Sequence, residues 1–271
     1  ASVIQFYGFL RVDANWADSR LNDTQIVQFA RSEDQAAPAG IASRANKPTL
    51  SIYPRLSRFG FNLNGPTVTD LADAKLGGKF EVDFYSFNTS ESRNEMRMRH
   101  VYMTLGISDF TILGGQTSDC FSPLMPSVNA DMVNWNAGNP GDRRPQVKAT
   151  YAKNFDGHML NAQFMLGMTN AVDAKDNDAN GWLDGETSSV PTMQARLGYG
   201  IGIWTLANGK KADLVVGISA SYSKERLDTA FAGNRTFESK ALCLDIVIPF
   251  YNDMVFLRGE LWIGHNMSDL R

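Results

Sequence analysis

The 271-residue sequence lacks the features that most functional classes require. Its longest apolar runs, such as LVVGISA, are far shorter than the ~20 residues of a membrane-spanning helix, which excludes a helical membrane protein. Its two cysteines are too few for a disulfide-rich scaffold or a zinc site. Its three histidines have no motif partners, and the sequence contains no nucleophile elbow or P-loop. We therefore expect neither an enzyme nor a resident cofactor.

Charge of either sign is also scarce. Charged residues make up 20% of the chain, against about a quarter in typical domains, and the formal net charge is −3. No basic or acidic block interrupts this even spread, so a nucleic-acid partner is not expected. A β-rich globule and a β-barrel are both compatible with these totals.

The sequence does contain alternation with a period of two, which is typical of a strand. In VFLRGELWIG, Val255, Leu257 and Ile263 share one face, whereas Arg258 and Glu260 share the other. The same alternation recurs in VIQFYGFLRVDANW, KLGGKFEVDFYSF, HMLNAQFMLGM, MQARLGYGIGIW and KALCLDIVIPF. In all six segments the middle of the apolar face carries no charge. Such a face suits contact with lipid, because Arg or Lys at mid-membrane costs about 2–4 kcal/mol.

The alternating segments predict eleven strands, most of them ten residues or longer. Their approximate ranges are 3–16, 50–63, 75–87, 94–105, 109–117, 146–153, 158–169, 192–205, 212–225, 238–250 and 254–265. Such lengths suit a tilted transmembrane strand of about 9–11 residues better than an ordinary strand of about 5–6. We also expect a β-bulge near Pro54, because Arg55 and Arg58 would fall on opposite faces of a regular strand. The segment 24–31 is an alternative twelfth strand.

The connections between these strands are sorted by length. The short links GISD, KNFDGH, LANGKK and FYND alternate with long ones at 118–145, 170–191 and 226–237. Outer-membrane barrels have short periplasmic turns and long outer loops, whereas a soluble β-sandwich, the alternative, has no reason for such sorting. The sequence thus predicts an all-β, transmembrane, antiparallel up-and-down β-barrel, one domain over 1–271, in a Gram-negative outer membrane. Because bacterial barrels have even strand numbers, we expect the C-terminal strands to be absent from this sequence.

Six stretches resemble the DcaP-like trimeric outer-membrane porins. They are IQFYGFLRVDA, LSRFGFNLNGP, KLGGKFEVDFY, MRMRHVYMTLG, ILGGQTSDCFSPL and DRRPQVKATYA, in the family's order over about residues 3–152. The resemblance implies a homotrimer with one pore per subunit, in contact with membrane lipid and lipopolysaccharide. It also implies that this chain is part of a 16-stranded barrel whose pore passes small solutes, often anionic dicarboxylates.

Arginines on the polar strand faces are the main candidates for binding solutes. By parity, Arg97 and Arg99 share a face with Val101 and Met103, which puts His100 on the other face. The further candidates for the pore wall are Arg11, Arg58 (or Arg55), Arg196, Arg258, Glu81, Asp83 and Glu260. Guanidinium groups in a narrow pore attract carboxylates and can bind them bidentately. Alternatively, the first two arginines pair with carboxylates on neighbouring strands, such as Glu81, Asp83 and Glu95.

The segment 118–145 is too long for a structureless link in a compact domain unless it has a function. It follows the fifth predicted strand, which is the position of the loop that folds inward and narrows a porin. The charged residues that would set the field at this constriction are Asp119, Asp131, Asp142, Arg143 and Arg144. An extracellular flap is the alternative. The segment 170–191 is expected to be a long extracellular loop.

Within 170–191, the stretch DNDANGWLDGE resembles a calcium-binding loop. Its oxygen ligands would be Asp176, Asp178, Asn180 and Asp184. Position twelve of the pattern, a Glu in EF-hands, is Thr187 here, and the flanking helices are missing. A solvated turn rich in Asp, Asn and Gly is the alternative to a Ca²⁺ site.

The two cysteines allow a disulfide between this loop and the wall. Cys120 lies in 118–145 and Cys243 lies on a polar strand face, so oxidation in the periplasm would join them if they are close. Two unpaired thiols are the alternative.

The function predicted from these features is an outer-membrane porin. It would allow passive diffusion of small hydrophilic solutes, with anions of the dicarboxylate type favoured by the charged lumen. The alternative is a structural or adhesive barrel with a plugged pore and a surface loop, within 170–191, that binds Ca²⁺.

Overall fold

The computed structural model describes residues 2–18, 21, 48–85, 95–125, 139–141, 143–169, 190–205, 211–231, 234–250, 254–267 and 270. Nearly all of this part of the chain is β-strand. Its strands are β1 (Val3–Phe9), β2 (Asp13–Ala17), β3 (Thr49–Tyr53), β4 (Arg58–Val68), β5 (Ala74–Asp83), β6 (Arg97–Ile107), β7 (Phe110–Ser118), β8 (Arg143–Phe155), β9 (His158–Gly167), β10 (Thr192–Thr205), β11 (Lys211–Phe231), β12 (Asn234–Phe250) and β13 (Val255–His265). One turn of 3-10 helix, Thr69–Leu71, separates β4 from β5. Within the described ranges, no helix has the length and apolar character needed to cross a membrane.

Eleven of the described strands form one antiparallel sheet. Its order is β1-β4-β5-β6-β7-β8-β9-β10-β11-β12-β13, and β2 pairs with β3 in a separate ribbon. From β4 onward each strand pairs with the next one in the chain, which confirms the predicted all-β, antiparallel up-and-down fold. The predicted closure is not seen in the described residues, where β1 and β13 are the edges of an open sheet. Edge strands leave backbone donors and acceptors unpaired, so a closed barrel requires pairing partners for both of these strands.

The first two predicted strands are each broken in the structure. The range 3–16 is divided into β1 and β2, and the range 50–63 into β3 and β4. Pro54 accounts for the second break, because its carbonyl oxygen accepts a hydrogen bond from the Ser57 N–H at 2.9 Å and forms a turn. The Ser57 hydroxyl in turn accepts a hydrogen bond from the Arg11 N–H at 3.0 Å, across the gap in the first segment. The sequence predicts a bulge near Pro54, but the structure has a turn there, since proline cannot donate to a ladder.

A β-bulge lies at Arg99 instead. Glu81 of β5 pairs with His100 of β6, whereas the next residue, Val82, pairs with Met98, so Arg99 is the extra residue. Such a bulge exchanges the two faces of the sheet for the residues that follow it in the strand. The prediction that His100 lies on the face opposite the two arginines is therefore wrong: His100 and Arg99 both approach the Glu81 carboxylate.

The main sheet has two faces whose burial is inverted relative to a soluble protein. We call the face that carries Glu81, Gln194 and Asp245 the polar face, and the opposite one the apolar face. Four register-paired side chains on the apolar face are about half exposed or more: Leu197 at 50%, Ile218 at 48%, Leu244 at 54% and Leu261 at 72%. On the polar face, by contrast, Ser219 is 0% exposed and Asp245 is 3% exposed. The buried interior of this protein therefore lies on its polar side.

Candidate functional site

Residues of β4, β5 and β6 bring their charges together on the polar face. This group, called the basic cluster below, consists of Arg58, Lys79, Glu81, Asp83, Arg97 and Arg99. Strand register explains the grouping, because Asp83 lies opposite Arg58 on one side and opposite Arg97 on the other. The bulge at Arg99 adds a third guanidinium group next to these two.

Asp83 binds two of these guanidinium groups. Arg97 contacts it bidentately, with Nε 2.8 Å from Oδ1 and Nη2 2.7 Å from Oδ2. Arg99 donates to the same Oδ2 at 2.9 Å. The Asp83 side chain is fully buried beneath them, and charge-assisted pairs of this geometry are the strong ones. Arg97 and Arg99 therefore pair with carboxylates of the neighbouring strand, the alternative that the sequence left open.

Glu81 collects the remaining contacts of the cluster. It accepts a hydrogen bond from Arg99 Nε at 2.7 Å and another from the Tyr7 hydroxyl at 2.8 Å. Lys79 Nζ and Arg58 Nε lie 3.5 Å and 3.6 Å from its oxygens. The four basic side chains of the cluster outnumber its two carboxylates, so two positive charges are in excess. These four side chains are 14–27% exposed, so the excess charge is accessible to solvent.

Aromatic rings extend the basic cluster towards the β2–β3 ribbon. The guanidinium carbon of Arg55 lies 3.4 Å from the ring centroid of Tyr53 and 4.9 Å from that of Tyr85. Arg97 also lies 4.9 Å from the Tyr85 centroid, so this ring contacts two guanidinium groups. Because Arg55 is only 1% exposed, these cation–π contacts, worth about 2 kcal/mol when desolvated, help to offset the cost of its burial.

The chain between β7 and β8 returns over the polar face. Its described parts, residues 119–125 and 139–141, are called the anchored loop below. Arg144, at the start of β8, binds the first residue of this loop, with Nε 2.8 Å from Asp119 Oδ1 and Nη2 3.0 Å from Oδ2. The two side chains are 0% and 2% exposed. Both residues were predicted to set the field at a constriction, which stays a prediction. In the structure their buried pair attaches the loop to the wall.

Gln194 of β10 holds the next two residues of the anchored loop. Its side-chain Oε1 accepts hydrogen bonds from the backbone N–H groups of Cys120, at 3.0 Å, and Phe121, at 3.1 Å. Buried backbone donors require such partners. Because the loop leaves the sheet at β7 and Gln194 lies on β10, the loop crosses the polar face of β8 and β9.

Glu260 of β13 holds the far end of the anchored loop. Its carboxylate accepts hydrogen bonds from the Leu124 N–H at 2.8 Å, from the Ser122 hydroxyl and from Asn139 Nδ2 at 3.2 Å. Asn139 also donates to the Ser122 carbonyl at 2.8 Å, which joins the two described parts of the loop. The anchored loop thus extends over the polar face as far as β13. This position favours a constriction over an extracellular flap, although the constricting role stays a prediction.

Both cysteines are buried free thiols in the structure. Cys243 packs with Phe121, Ala241 and Leu270 in an apolar cluster under the anchored loop. Burial raises the pKa of the Cys120 thiol in the loop to about 12, so this thiol is neutral and poorly nucleophilic. Of the two alternatives left by the sequence, the structure shows the unbridged one.

A glycine allows Tyr7 to reach the basic cluster. Tyr7 of β1 lies opposite Gly60 of β4, which lies opposite Glu81 of β5. A Cβ atom at Gly60 would stand 2.7 Å from the Tyr7 hydroxyl oxygen. The missing side chain therefore leaves the space through which Tyr7 crosses a whole strand to its carboxylate. We call this arrangement a glycine crossing.

Glycine crossings recur twice under the anchored loop. Arg196 of β10 passes over Gly217 of β11 to Asp245 of β12, with Nη2 2.6 Å from Oδ1. A Cβ atom at Gly217 would stand 2.5 Å from Arg196 Nη2. Arg144 likewise passes over Gly167 of β9 and donates to the Thr192 hydroxyl of β10 at 3.2 Å. Long polar side chains on this face therefore lie flat along the sheet.

Three other residues predicted for the site belong neither to the basic cluster nor to the contacts that hold the anchored loop. Arg11 pairs with Asp13, Nε to Oδ1 at 2.9 Å. Arg258 is exposed on β13 with its guanidinium carbon 5.2 Å from the Phe256 ring. Arg143 begins β8 and is partly exposed.

Several predicted residues lie outside the described part of the chain. They are Asp131, Asp142, Asp176, Asp178, Asn180 and Asp184. The Ca²⁺ site therefore stays a prediction. Among the described residues, no group of three or more His, Cys, Asp or Glu side chains is placed to hold a metal ion.

Sequence reasoning gave no role to three residues that organise the site. Tyr7 and Lys79 alternate with apolar residues and were visible as members of the polar face, but alternation alone does not show which carboxylate they contact. Gln194 was visible in the same way. Its bonds to the backbone of the anchored loop depend on how the loop folds back, which no local pattern records.

Comparison with known proteins identifies the fold. No protein-family model and no curated protein matches the sequence. Among solved structures, the chain is similar to the outer membrane channel DcaP of Acinetobacter baumannii, with a TM-score of 0.64 and 21% sequence identity. The match covers 93% of this chain and 61% of that chain, so this chain spans less than two thirds of the channel's length. The likeness confirms the DcaP-like fold that the six stretches predicted.

Proposed function

We propose that this chain forms the wall of an outer-membrane porin that passes small hydrophilic solutes by diffusion and prefers anions. The apolar face would contact lipid, and the polar face would line the channel. The resemblance to trimeric porins extends the proposal to a homotrimer in a membrane that contains lipopolysaccharide. The single observation that carries the proposal is the inverted burial of the two faces.

The inverted burial supports a lipid-facing surface because a soluble protein does not leave a continuous apolar sheet face in water. The largest exposed apolar patch on a typical monomer covers about 300–600 Å², whereas here the exposed apolar side chains extend from β1 to β13. In hydrocarbon such a surface is stable, and the buried polar face becomes the interior. The DcaP fold agrees with this assignment.

Aromatic side chains on the apolar face mark one border of the proposed membrane region. Near the β6–β7, β8–β9 and β10–β11 connections they are Phe110, Tyr151, Phe155, His158 and Tyr199. Outer-membrane barrels carry such aromatic girdles at the interfaces with water. Because the turns of outer-membrane barrels are short on the periplasmic side, this border would be the periplasmic one.

The proposed anion preference rests on the charge of the basic cluster. Two positive charges are in excess there, and their side chains are partly open to solvent. A ring or column of Arg and Lys is a usual device of anion pores. Asp83 and Glu81 hold the guanidinium groups in place without neutralising all of them.

Planar-bilayer recording of the full-length protein tests the proposal. Stepwise, steady current is expected, and a reversal potential in a KCl gradient should show that chloride permeates better than potassium. A protein that seals the bilayer, or one that favours cations, would contradict it. Current with no ion preference would retain the channel and remove the anion preference.

Two opposite variants of the basic cluster test the source of the selectivity. Glu81→Gln raises the excess to three charges and should increase the chloride-to-potassium permeability ratio, whereas Arg99→Gln lowers the excess to one and should decrease it. One charge about 5 Å from an ion in water is worth roughly 0.8 kcal/mol, or about fourfold before screening. Lys153→Gln, an exposed lysine outside the cluster, is the control and should change little.

A further inference from the structure

A cavity lies on the polar face, at the opposite end of the strands from the anchored loop. Its volume is about 580 Å³, and its lining includes Asn64, Asp73, Lys75, Thr104 and Thr111. It is situated between the β4–β5 turn, which contains Asp73, and the β6–β7 turn at residues 108–109. None of these five residues belongs to the basic cluster.

Strand register and two glycines create the concavity. One row across the sheet is Asn64, Gly77 and Thr104, and the next is Lys75, Gly106 and Thr111. Each glycine lies in the middle of its row, between two polar side chains. The floor of the cavity is therefore backbone, and its lining combines these polar residues with Ala72 and Leu76.

The polar groups of this cavity are available to a ligand. Among the residues that the structure describes, no hydrogen bond or ion pair engages the side chains of Asn64, Asp73, Lys75, Thr104 or Thr111. In the basic cluster, by contrast, every carboxylate is bound to guanidinium groups. A cavity of this volume falls within the usual range for small-molecule sites, about 300–1,000 Å³.

The charges of the cavity indicate which class of solute fits it. One cation, Lys75, and one anion, Asp73, line the same space without forming an ion pair. They are two residues apart, so their Cα atoms are at most about 7 Å from each other. A dianion would find only one cation here. None of the residues that line the cavity is aromatic, so a sugar ring would have no ring to stack on.

We propose that this cavity binds a free α-amino acid as its zwitterion, with the carboxylate on Lys75 and the ammonium on Asp73. The hydroxyls of Thr104 and Thr111 and the amide of Asn64 would bind a polar side chain, as in glutamine or serine. The inference rests on the proposed function in taking the polar face as the channel wall and the short turns as periplasmic. The cavity would then be a solute-binding site at the periplasmic opening of the channel.

Titration calorimetry of the full-length protein in detergent tests this inference, with L-glutamine as the probe. Glutamine should bind, and Lys75→Met and Asp73→Asn should each weaken binding about tenfold, the size of one charge-assisted hydrogen bond. N-acetyl-L-glutamine, which keeps the carboxylate but lacks the ammonium, should bind about tenfold more weakly than glutamine. Lys153→Met, which changes an exposed lysine outside the cavity, is the matched control and should leave binding unchanged.

The outcomes separate this inference from the channel function. If glutamine does not bind, or if Asp73→Asn leaves its affinity unchanged, the zwitterion site is overturned. Equal binding of glutamine and its N-acetyl form would reveal a simple anion site and would also overturn it. The same preparation is recorded in planar bilayers. Absence of current there contradicts the porin, whereas the calorimetry still decides whether the cavity binds amino acids.

Discussion

Two parts of the polar face use arginine in different ways. Beneath the anchored loop two guanidinium groups are each matched by a carboxylate, Arg144 by Asp119 and Arg196 by Asp245. In the basic cluster four cations share two carboxylates. The two pairs in the first part are balanced in charge and largely shielded from solvent, whereas the second part carries an excess of positive charge that is open to solvent. The ratio of cations to carboxylates, more than the number of arginines, decides which part can attract anions.

Breaking a pair beneath the loop should have the largest effect on stability. Asp119→Asn leaves the Arg144 guanidinium buried without its counter-ion, and loss of one partner of a buried pair typically costs about 3–5 kcal/mol. Urea unfolding of the protein in detergent or lipid vesicles measures the change. The matched control is Asp109→Asn, whose partner Lys153 is 3.7 Å away with both side chains exposed. It should cost at most about 1 kcal/mol.

The double variant Asp119→Leu/Arg144→Met sharpens this result. If the loss in the single variant comes from an uncompensated buried charge, replacing both partners by apolar residues should recover most of the stability. A double variant as unstable as the single one would show that the pair contributes geometry that apolar packing cannot replace.

Releasing the far end of the anchored loop should have a smaller effect. Glu260→Gln removes the charge that binds Ser122, Leu124 and Asn139, and hydrogen bonds to a charged group contribute about 1.5–3 kcal/mol. We expect faster hydrogen exchange at the Leu124 amide and a larger open conductance. The control Glu238→Gln alters an exposed carboxylate that binds Lys240 on the apolar face and should change neither measurement. Unchanged exchange in Glu260→Gln would contradict the anchoring role.

Filling a glycine crossing should have the smallest effect on stability. Gly217→Ala places a methyl group against the ends of the Arg196 and Asp245 side chains, which must shift to accommodate it, so we expect a loss of about 1 kcal/mol in unfolding free energy. Gly114→Ala is the matched control, because no atom lies within 4 Å of its Cβ position. Equal losses of unfolding free energy in the two variants would show that Arg196 does not need the space over Gly217 to reach Asp245.

Much of the fold could be predicted from the sequence because alternation is a local property. The six alternating segments correspond to strands of the main sheet, with the first continuing into β2, and Leu244 and Leu261 fall on the face assigned to lipid. The faces on which the β6 side chains lie could not be predicted. The extra residue at Arg99 exchanges the two faces, and nothing in MRMRHVYMTLG indicates a bulge. The break at Pro54 was visible only as an irregularity.

The candidate site was harder to predict than the fold because it depends on contacts between distant segments. The polar residues Glu81, Asp83 and Arg97 were identified by parity, but the balance of charge among them depends on register between three strands. The attachment of the loop to Gln194 and Glu260 joins residues more than 70 positions apart in the chain. Such pairings leave no periodic trace in a single sequence.

The glycine crossings have a consequence for how the strands find their alignment. A strand that slips by two residues keeps its apolar and polar faces, so alternation alone does not prevent such a slip. Displacing β11 by two residues would bring Val215 or Ser219 under the Arg196 side chain in place of Gly217, and the path to Asp245 would be obstructed. The glycine therefore specifies the register of the strand. The alternation of apolar and polar residues does not, because registers that differ by two residues keep the same apolar face.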